Sequence, residues 1–558
     1  MTTDPITLEI IHNGLRSITD ESFIALMKSA YSTNIKERRD HSCAVIDLSG
    51  RLIAQAENSL PIHLASMWGL MTAVLAKVKV DDMSEGDIFV ANDPHVAGGT
   101  HLPDLNMAMP VFVDGKVMAF VCNIAHHADM GGMAPGSMAG GMREIYQEGL
   151  RIPVVRLFRK GEIVQDIFDL LLLNVRVPDE RKGDYFAQVA ACRLGERRLK
   201  EMAQRYGAPV LLEAFDEIIT RTRQRMERAI GTIPEGTYRF ADRMDDDGLG
   251  MIDIPIVLEL TVGNGRIRAD FTGSAPEVDG NINLKINGSG ATVAYAIKAL
   301  LDPDVPNNQG VLDVIDVSAP EGTVVNCAPP AATAARAHVC QRIVDCVIGA
   351  LAPAIPDRAV AAANGANTTA VLSGIDPATR QRYVYLETLG GGFGGRATKD
   401  GKDGVQVHIT NTSNLPVEAI EMEYPLRVES YGLIEDSGGA GKYRGGLGLR
   451  RVVRPVGHDA VFSGTGERFR FSPWGLFGGK DGQPGRFQRR EPDGSLIGLD
   501  NKPAEVMLTP KQAVVMETPG AGGYGDPAER AADLLKRDAE SGKFSEKYLR
   551  GAYPKGKS

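Results

Sequence analysis

The stretch that most constrains the fold is "MAMPVFVDGKVMAFVCNIAHH" (107–127). Two runs of apolar residues flank Asp114-Gly115, a pair that strongly favours the two-residue type I′ turn of a β-hairpin. In a hairpin, the end of the second strand lies beside the start of the first strand. The sequence therefore predicts that "GGTHLPDLNM" (98–107), which leads into the first strand, lies beside "AHHAD" (125–129), which ends the second.

Five side chains in these two segments are candidates for binding a metal or moving protons: His101, Asp104, His126, His127 and Asp129. Two imidazoles with one or two carboxylates form a ligand set that suits Zn, Mn or Fe. The same pattern also fits ordinary polar residues at the ends of a hairpin. From the residues alone, both interpretations stay open.

A further acidic candidate, Asp40, stands just before "SCAVIDLSGRLIAQ" (42–55). In that stretch a Ser-Gly pair between two apolar runs predicts a second hairpin. We expect this hairpin to pack on the same sheet as the first, which would bring Asp40 near the other candidates. The alternative is that Asp40 forms an ion pair at the surface with Arg38 or Arg39.

The chain of 558 residues exceeds the roughly 250–300 residues that one hydrophobic core usually serves, so several packed units are expected. Apolar residues recur with helical spacing in five regions: 5–35, 63–79, 176–230, 284–301 and 335–352. Hairpin signals lie between them, including one at Asn264-Gly265. These patterns predict an α+β fold, a mixed multi-layer arrangement of β-hairpins and grouped helices with a glycine-rich β C-terminal part.

Changes in composition and in the spacing of apolar residues predict that the chain has three regions. Residues 1–231 form an α+β region that carries the candidate metal site, and residues 232–528 form a glycine-rich mixed β/α region. A charged helical tail is expected from 529 to 558.

Composition excludes several classes of partner. The net charge is −9 and no long basic stripe is present, which argues against nucleic acid. No apolar run approaches the ~18 residues that a membrane-spanning helix needs, and the N-terminus lacks the pattern of a secretory signal. The six cysteines are scattered without a CxxC pair, as in reduced intracellular proteins. We therefore expect a cytoplasmic protein.

Glycine is concentrated in a few segments, among them "LGGGFGGR" (389–396), "DSGGAGKYRGGLG" (436–448) and "ETPGAGGYGDP" (517–527). The first contains a GxGxxG-like string, but a polar loop rather than a helix follows it, so no dinucleotide site is predicted. Tight turns are the simplest interpretation of these segments, with a cleft wall or a subunit contact as functional alternatives. The segment "GGMAPGSMAGGM" (131–142) is interpreted either as a mobile lid or as a loop held by a partner.

Seven motifs occur in a characteristic order along the chain: "RRDHSCAVID", "GDIFVANDPHVAGGTHLPDLNM", "AHHADMGGMAPGSM", "ADFTGSAPEVDGNIN", "YLETLGGGFGGR", "SGGAGKYRGGLGLRR" and "TPGAGGYGDP". With them the chain resembles the hydantoinase B/oxoprolinase family, the B-type subunits of ATP-dependent cyclic-amide hydrolases. The resemblance extends from about residue 5 to residue 530, essentially the whole chain.

The resemblance implies that ATP and Mg are bound by a separate A-type, actin-like ATPase subunit in an (αβ)2 heterotetramer. Metal-activated water would then attack the phosphorylated hydantoin, 5-oxoproline or lactam. The alternatives are a subunit of an ATP-dependent ketone carboxylase of the acetone or acetophenone type, and a non-catalytic scaffold with a structural metal.

The family's ligand pattern matches Asp40, His101, Asp104 and His126. The resemblance thus implies that these four residues bind a divalent metal, Zn in the first place and Mn or Fe otherwise. The neighbouring residues 127 and 129, a histidine and an aspartate, are then interpreted as catalytic residues that orient ligands or handle protons.

Overall fold

The structure is a computed structural model that describes residues 4–553 and has the α+β architecture predicted from the sequence. The helices are α1 Pro5–Ser29, α2 Thr33–Lys36, α3 His63–Lys77, α4 Ile145–Glu148, α5 Gln165–Leu173, α6 Pro178–Tyr206, α7 Ala208–Ile230, α8 Ile286–Leu301, α9 Gln309–Leu312, α10 Ala337–Leu351, α11 Val417–Glu423, α12 Ala532–Glu540 and α13 Glu546–Ala552. None of these helices combines the length and the apolar character that crossing a bilayer requires.

The strands form four sheets. They are β1 His41–Ile46, β2 Leu52–Gln55, β3 Ile88–Ala91, β4 Asp104–Val113, β5 Lys116–His126, β6 Val155–Arg159, β7 Glu162–Ile163, β8 Gly236–Asp246, β9 Ile252–Gly263, β10 Arg266–Asp270, β11 Ile315–Ser318, β12 Thr368–Ile375, β13 Arg382–Leu389, β14 Leu426–Leu433, β15 Leu449–Pro455, β16 Ala460–Thr465, β17 Arg486–Arg490, β18 Leu496–Gly498, β19 Val506–Leu508 and β20 Ala513–Glu517.

The hairpin predicted at Asp114-Gly115 is present, and it lies near the middle of a seven-stranded antiparallel sheet of order β2-β1-β5-β4-β3-β6-β7. Both turn residues have positive φ, 50° at Asp114 and 76° at Gly115, as a type I′ turn requires. Strand β1 pairs with β5, so the second predicted hairpin joins the same sheet. The β4–β5 register sets Asp104 opposite His126.

This first sheet is buried on both faces. In β1, Ala44 and Ile46 belong to the core formed with α3, while Val45 belongs to the core formed with α1, α6 and α7. Successive residues of a strand point to opposite faces, so one strand contributes to both cores. The ends of β4 and β5 are therefore held in an interior that excludes water from both sides.

The remaining sheets begin at Gly236, in the orders β11-β10-β9-β8, β13-β12-β16-β19 and β14-β15-β20-β17-β18. The first of these packs on α8 and α10 in a core that includes Leu258, Ile297 and Ile343. The predicted boundaries near 232 and 529 stay predictions. The last residues of the predicted helical tail, 554–558, lie outside the described part of the chain.

The glycine-rich segments of the C-terminal half lie backbone against backbone. A Cβ atom added at Gly446 would lie 1.8 Å from the carbonyl oxygen of Lys402, and one added at Gly520 would lie 1.9 Å from that of Ser437. Neither glycine has a positive φ. The interpretation as tight turns is therefore wrong for them, because the structure requires the absence of a side chain rather than an unusual backbone conformation.

Replacing Gly446 by alanine is expected to destabilise the protein, because the new methyl group would collide with the Lys402 backbone. Overpacking of an interior typically costs about 1–3 kcal/mol. Gly432→Ala in β14 is the matched control, since a Cβ atom there meets no heavy atom within 4 Å. Thermal unfolding should give a lower midpoint for Gly446→Ala than for the control, and equal midpoints would contradict the close backbone packing.

Candidate metal centre

Three of the predicted side chains meet in the interior. His101, Asp104 and His126 each offer one ligand atom, and these atoms all lie within 4.8 Å of one another. His101 and Asp104 are fully buried, and His126 is 6% exposed. The hairpin register explains the proximity of Asp104 and His126, because facing residues of antiparallel strands have Cβ atoms about 4.5–5.5 Å apart.

His101 and Asp104 present unpaired atoms to each other. The Nδ1–H group of His101 donates to the backbone carbonyl of Ala334 at 2.9 Å, which leaves Nε2 with a free lone pair. This Nε2 lies 3.2 Å from Asp104 Oδ1, and neither atom has a hydrogen-bond partner among the described residues. A buried polar atom without a partner costs about 1–3 kcal/mol. A cation bound by both atoms would remove that cost, so the residues fit a metal ligand set.

The protonation states suit a cation as well. Burial and the neighbouring His101 hold the pKa of His126 well below its usual range, and burial together with Arg336 lowers the pKa of His101. Burial opposes the ionisation of Asp104, but His101 and Arg336 outweigh it and hold the pKa of this carboxyl well below its usual range. Neutral imidazoles and an ionised carboxylate are the forms that bind metals.

Asp40 is buried beside this group rather than at the surface. Its backbone carbonyl accepts a hydrogen bond from the His126 N–H at 3.0 Å, and its Oδ2 lies 3.8 Å from Arg38 Nη2. The ion pair with Arg38 is thus present, but as an interior contact, so the surface alternative is wrong. Burial raises the pKa of Asp40, although Arg38 and His63 act in the opposite direction.

His63 is a member of the site that sequence reasoning missed. Its Nε2 lies 3.6 Å from Asp40 Oδ1 and 3.6 Å from Asp104 Oδ1, and its Nδ1 lies 2.9 Å from Ser42 Oγ. In the sequence His63 is a single histidine at the start of a predicted helix, which carries no ligand pattern. The available signal was its position eight residues after the end of the β1–β2 hairpin.

His127 and Asp129 contact other partners. His127 Nε2 lies 3.0 Å from Gln188 Oε1, and burial lowers the pKa of its imidazole to about 4. Asp129 accepts hydrogen bonds from the backbone of the loop that begins at Gly131, and it pairs with Arg176 at 2.9 Å. Both Asp129 oxygens thus hold that loop. The catalytic roles predicted for His127 and Asp129 stay predictions.

A segment from the second half of the chain, residues 331–336, contacts the ligand candidates, and we call it the strap. Its Ala334 carbonyl orients His101. Its Arg336 donates to Asp104 Oδ2 at 2.5 Å and to Thr100 at 3.1 Å. The strap therefore fixes the two residues whose ligand atoms are unpaired. Sequence reasoning did not identify it, because it lies more than 200 positions from them.

Glu148, at the end of α4, holds the strap in turn. It is fully buried, and its Oε1 accepts hydrogen bonds from the backbone N–H groups of Thr333 and Ala334 at 2.6 Å each. Burial raises the pKa of this carboxyl to about 8. His95 adds a further contact, since its Nε2 lies 2.9 Å from the Ala331 carbonyl.

Gly98 illustrates why glycine precedes the first ligand pair. It has a φ of +73° and packs on Gly69 of α3, where a Cβ atom would lie only 2.1 Å from the Gly69 backbone. The left-handed backbone conformation at Gly98 thus favours glycine, and the close approach to α3 adds a second requirement for it.

The chain is similar to known proteins over almost its whole length. The sequence pattern of hydantoinase B/oxoprolinase proteins matches residues 4–527. The chain belongs to the hydantoinase B/oxoprolinase family. An uncharacterized protein of Methanocaldococcus jannaschii is 38% identical over 563 residues, covering 99% of this chain and 95% of that protein. Caprolactamase subunit beta of Pseudomonas jessenii is 31% identical, covering 98% of this chain and 94% of that subunit.

Solved structures share the fold of this hydantoinase B/oxoprolinase protein. The crystal structure of ATP-dependent caprolactamase from Pseudomonas jessenii matches with a TM-score of 0.94 at 28% identity, covering 100% of this chain and 97% of that one. A nucleotide-free acetone carboxylase matches with a TM-score of 0.90 at 19% identity, covering 99% and 79%. The second likeness shows a common fold only.

This family member is expected to retain a stoichiometric divalent metal ion on purification, measurable by elemental analysis. His101→Ala and His126→Ala should lose the ion, because each removes one nitrogen ligand. His458→Ala is the control, since that imidazole contacts the Tyr383 hydroxyl instead. Absence of metal from the wild-type protein, or equal metal content in all variants, would contradict the assignment.

Glu148→Ala is expected to weaken metal binding by about 10–100-fold, the range for residues that orient metal ligands. It leaves the Thr333 and Ala334 N–H groups unpaired and so loosens the strap. Glu148→Gln is the matched control, because its amide oxygen can accept the same two hydrogen bonds without a charge. Competition with a chelator measures the affinities, and wild-type affinity in Glu148→Ala would show that the strap does not position the ligands.

Proposed function

We propose that this chain is the metal-binding subunit of an ATP-dependent hydrolase that opens cyclic amides such as hydantoins, 5-oxoproline or lactams. The observation that carries the proposal is the buried group of His101, Asp104 and His126 in a member of the hydantoinase B/oxoprolinase family. The relatives support the reaction class, because one of them is named caprolactamase subunit beta and the matching crystal structure is that of an ATP-dependent caprolactamase.

In this proposal His101, Asp104 and His126 hold a divalent metal ion, and Asp40 is the fourth ligand. Zn suits two imidazoles with carboxylates, with Mn and Fe as alternatives. When bound, such an ion supplies Lewis acidity that lowers the pKa of a water molecule toward ~7.

The protein's own side chains prepare the site for attack on the activated ring carbon. Arg336 pairs with Asp104 and keeps its carboxylate ionised and oriented. His63 Nε2 lies within 3.6 Å of a carboxylate oxygen of both Asp40 and Asp104, a position from which it can accept a proton from water between them. We assign indirect roles to His127, which acts through Gln188, and to Asp129, which acts through the loop that begins at Gly131.

The partner in this proposal is an A-type, actin-like ATPase subunit, joined with this chain in an (αβ)2 heterotetramer in the cytoplasm. That subunit would bind ATP with Mg and phosphorylate the amide oxygen, since an unstrained amide is a poor electrophile. The name of the Pseudomonas jessenii relative, a beta subunit, supports the existence of a partner.

The test is ring opening by the complex of this chain with its ATPase partner, given ATP, Mg and either hydantoin, 5-oxoproline or ε-caprolactam. We expect product formation coupled to ATP hydrolysis. His126→Ala should lower kcat by more than ~10²-fold, beyond the usual effect of residues outside the ligand set, while the complex stays assembled and His458→Ala retains activity.

Two results would contradict the proposal, and each would support a different function. If no cyclic amide is opened and labelled bicarbonate is incorporated into a ketone, the protein is a carboxylase subunit. If His126→Ala dissociates the complex, and the assembled wild-type complex opens no ring with or without added metal, the metal has a structural role only.

A further inference from the structure

Two adjoining chambers lie between helix α8 and the segment that follows β2. We call the one of about 320 Å³ the inner chamber and the one of about 430 Å³ the outer chamber. Their walls share five residues, which are Gln55, Glu57, Lys298, Pro303 and Asn307. Ligand pockets usually measure about 300–1,000 Å³, so the inner chamber has room for a small organic molecule.

One face of α8 forms a wall of the inner chamber. Ala291, Ala294, Tyr295 and Lys298 line it, and their spacing of three and four residues places them on one side of the helix. The two alanines and Leu64 of α3 provide apolar surface. Because a helix rises about 1.5 Å per residue, Lys298 lies roughly 10 Å along α8 from Ala291. The wall therefore changes from apolar to polar towards the outer chamber.

The charged side chains of the inner chamber are paired, with the exception of Lys298. Glu57 Oε2 lies 3.4 Å from Arg16 Nη2, and His408 Nε2 lies 3.1 Å from Asp345 Oδ1. Lys298 forms no such ion pair and no side-chain hydrogen bond among the described residues. Its ammonium group is therefore the charge in this lining that lacks a counter-charge.

The surroundings of Lys298 make a counter-charge favourable. The side chain is partly buried, and burial lowers the pKa of its ammonium group, although Asp302 and Asp304 act in the opposite direction. Asp302 is itself paired with Arg225 at 2.5 Å. Removing a charge from water without a partner is unfavourable. An anion beside Lys298 would supply the missing partner.

Two neutral donors accompany Lys298. The Tyr295 hydroxyl has no hydrogen-bond partner among the described residues, and burial raises its pKa to about 12, so it keeps its proton. Asn307 lines both chambers, and its side-chain amide also has no partner in the described chain. The polar ends of all three side chains retain accessible surface. A molecule in the chamber can therefore reach each of them.

The lining favours a monoanion with an apolar part over a phosphate. Phosphate carries a higher charge and is typically bound by arginine or by several donors with positive charge. Here a single unpaired ammonium group is available in the described lining, and Glu57 in the same wall would repel a second negative charge. The apolar surface around Leu64 and Ala291 suits a hydrocarbon group, because burying such a group is favourable in proportion to its area.

We infer that the inner chamber binds a small organic carboxylate. The carboxylate accepts hydrogen bonds from Lys298 Nζ, the Tyr295 hydroxyl and the Asn307 amide. The apolar part of the molecule lies against Leu64 and Ala291. The inference goes beyond the proposed function and does not rest on it, because it uses neither the metal nor ATP.

The inner chamber is separate from the candidate metal centre but adjoins a segment that reaches it. None of the described ligand candidates lines the chamber. Pro61 and Leu64 do line it, and they flank His63, whose Nε2 lies 3.6 Å from Asp104 Oδ1. A bound carboxylate therefore lies beside the metal centre rather than in it.

The test is calorimetric titration of the purified full chain with benzoate and with benzamide, which has nearly the same shape but no charge. Lys298→Met removes the ammonium group and keeps an unbranched side chain, whereas Lys298→Arg keeps the charge. Lys182→Met in α6 is the matched control, because this exposed helical lysine lines neither chamber. Tyr295→Phe removes the hydroxyl donor at nearly constant shape.

We expect saturable binding of benzoate to the wild type, and weaker binding of benzamide and of inorganic phosphate. Lys298→Met should weaken benzoate binding by about tenfold or more, because hydrogen bonds to charged groups are among the strongest. Lys298→Arg should retain most of the affinity, and Tyr295→Phe should lose part of it. Lys182→Met and His101→Ala should bind as the wild type does. Benzoate should also raise the thermal midpoint of the wild type more than that of Lys298→Met.

The inference is overturned if the wild type shows no saturable binding, or if benzamide or inorganic phosphate binds as tightly as benzoate. Wild-type affinity in Lys298→Met would overturn it as well. Should that variant not fold, undiminished binding by Tyr295→Phe would have the same consequence. Loss of binding in His101→Ala would place the carboxylate at the metal centre and also contradict the inference.

Discussion

The pairing of Asp104 with His126 across β4 and β5 is the contact on which the candidate metal centre depends. The two-residue turn at Asp114-Gly115 and a bulge at Val111/Phe112 set this register. A slip of one residue would turn the side chains of a strand to the other face of the sheet. Both faces of the sheet are buried, so such a slip would move the side chains of β4 into the opposite cores and disrupt the packing of both. The packing of the whole sheet therefore holds the two ligands in position.

The hairpin and the meeting of His101, Asp104 and His126 could be predicted because their cause is local. A turn signal and two apolar runs determine where the strand ends lie. The same reasoning could not identify His63, Arg336 or Glu148. Their roles depend on how a helix and the strap pack against the sheet, and the strap contacts join residues more than 180 positions apart. No local pattern encodes such contacts.

The glycine-rich segments show a different limit of sequence reasoning. Glycine occurs where φ is positive, and also where one backbone approaches another too closely for a side chain to fit. The sequence alone does not distinguish these two cases. At Gly115 the first reason applies, and at Gly446 the second. At Gly98 both apply. Only the three-dimensional packing distinguishes them, which is why the turn interpretation is confirmed at Asp114-Gly115 and wrong at Gly446 and Gly520.

The candidate centre joins the two halves of the chain, because its ligand candidates lie in the first half and the strap that orients two of them lies in the second. The measurement that tests this account most directly is an anomalous difference map, recorded at the absorption edge of the bound metal, from crystals of the purified protein. We expect one strong peak in contact with His101 Nε2, Asp104 Oδ1 and a ring nitrogen of His126. A peak elsewhere in the chain, with none between these atoms, would contradict it.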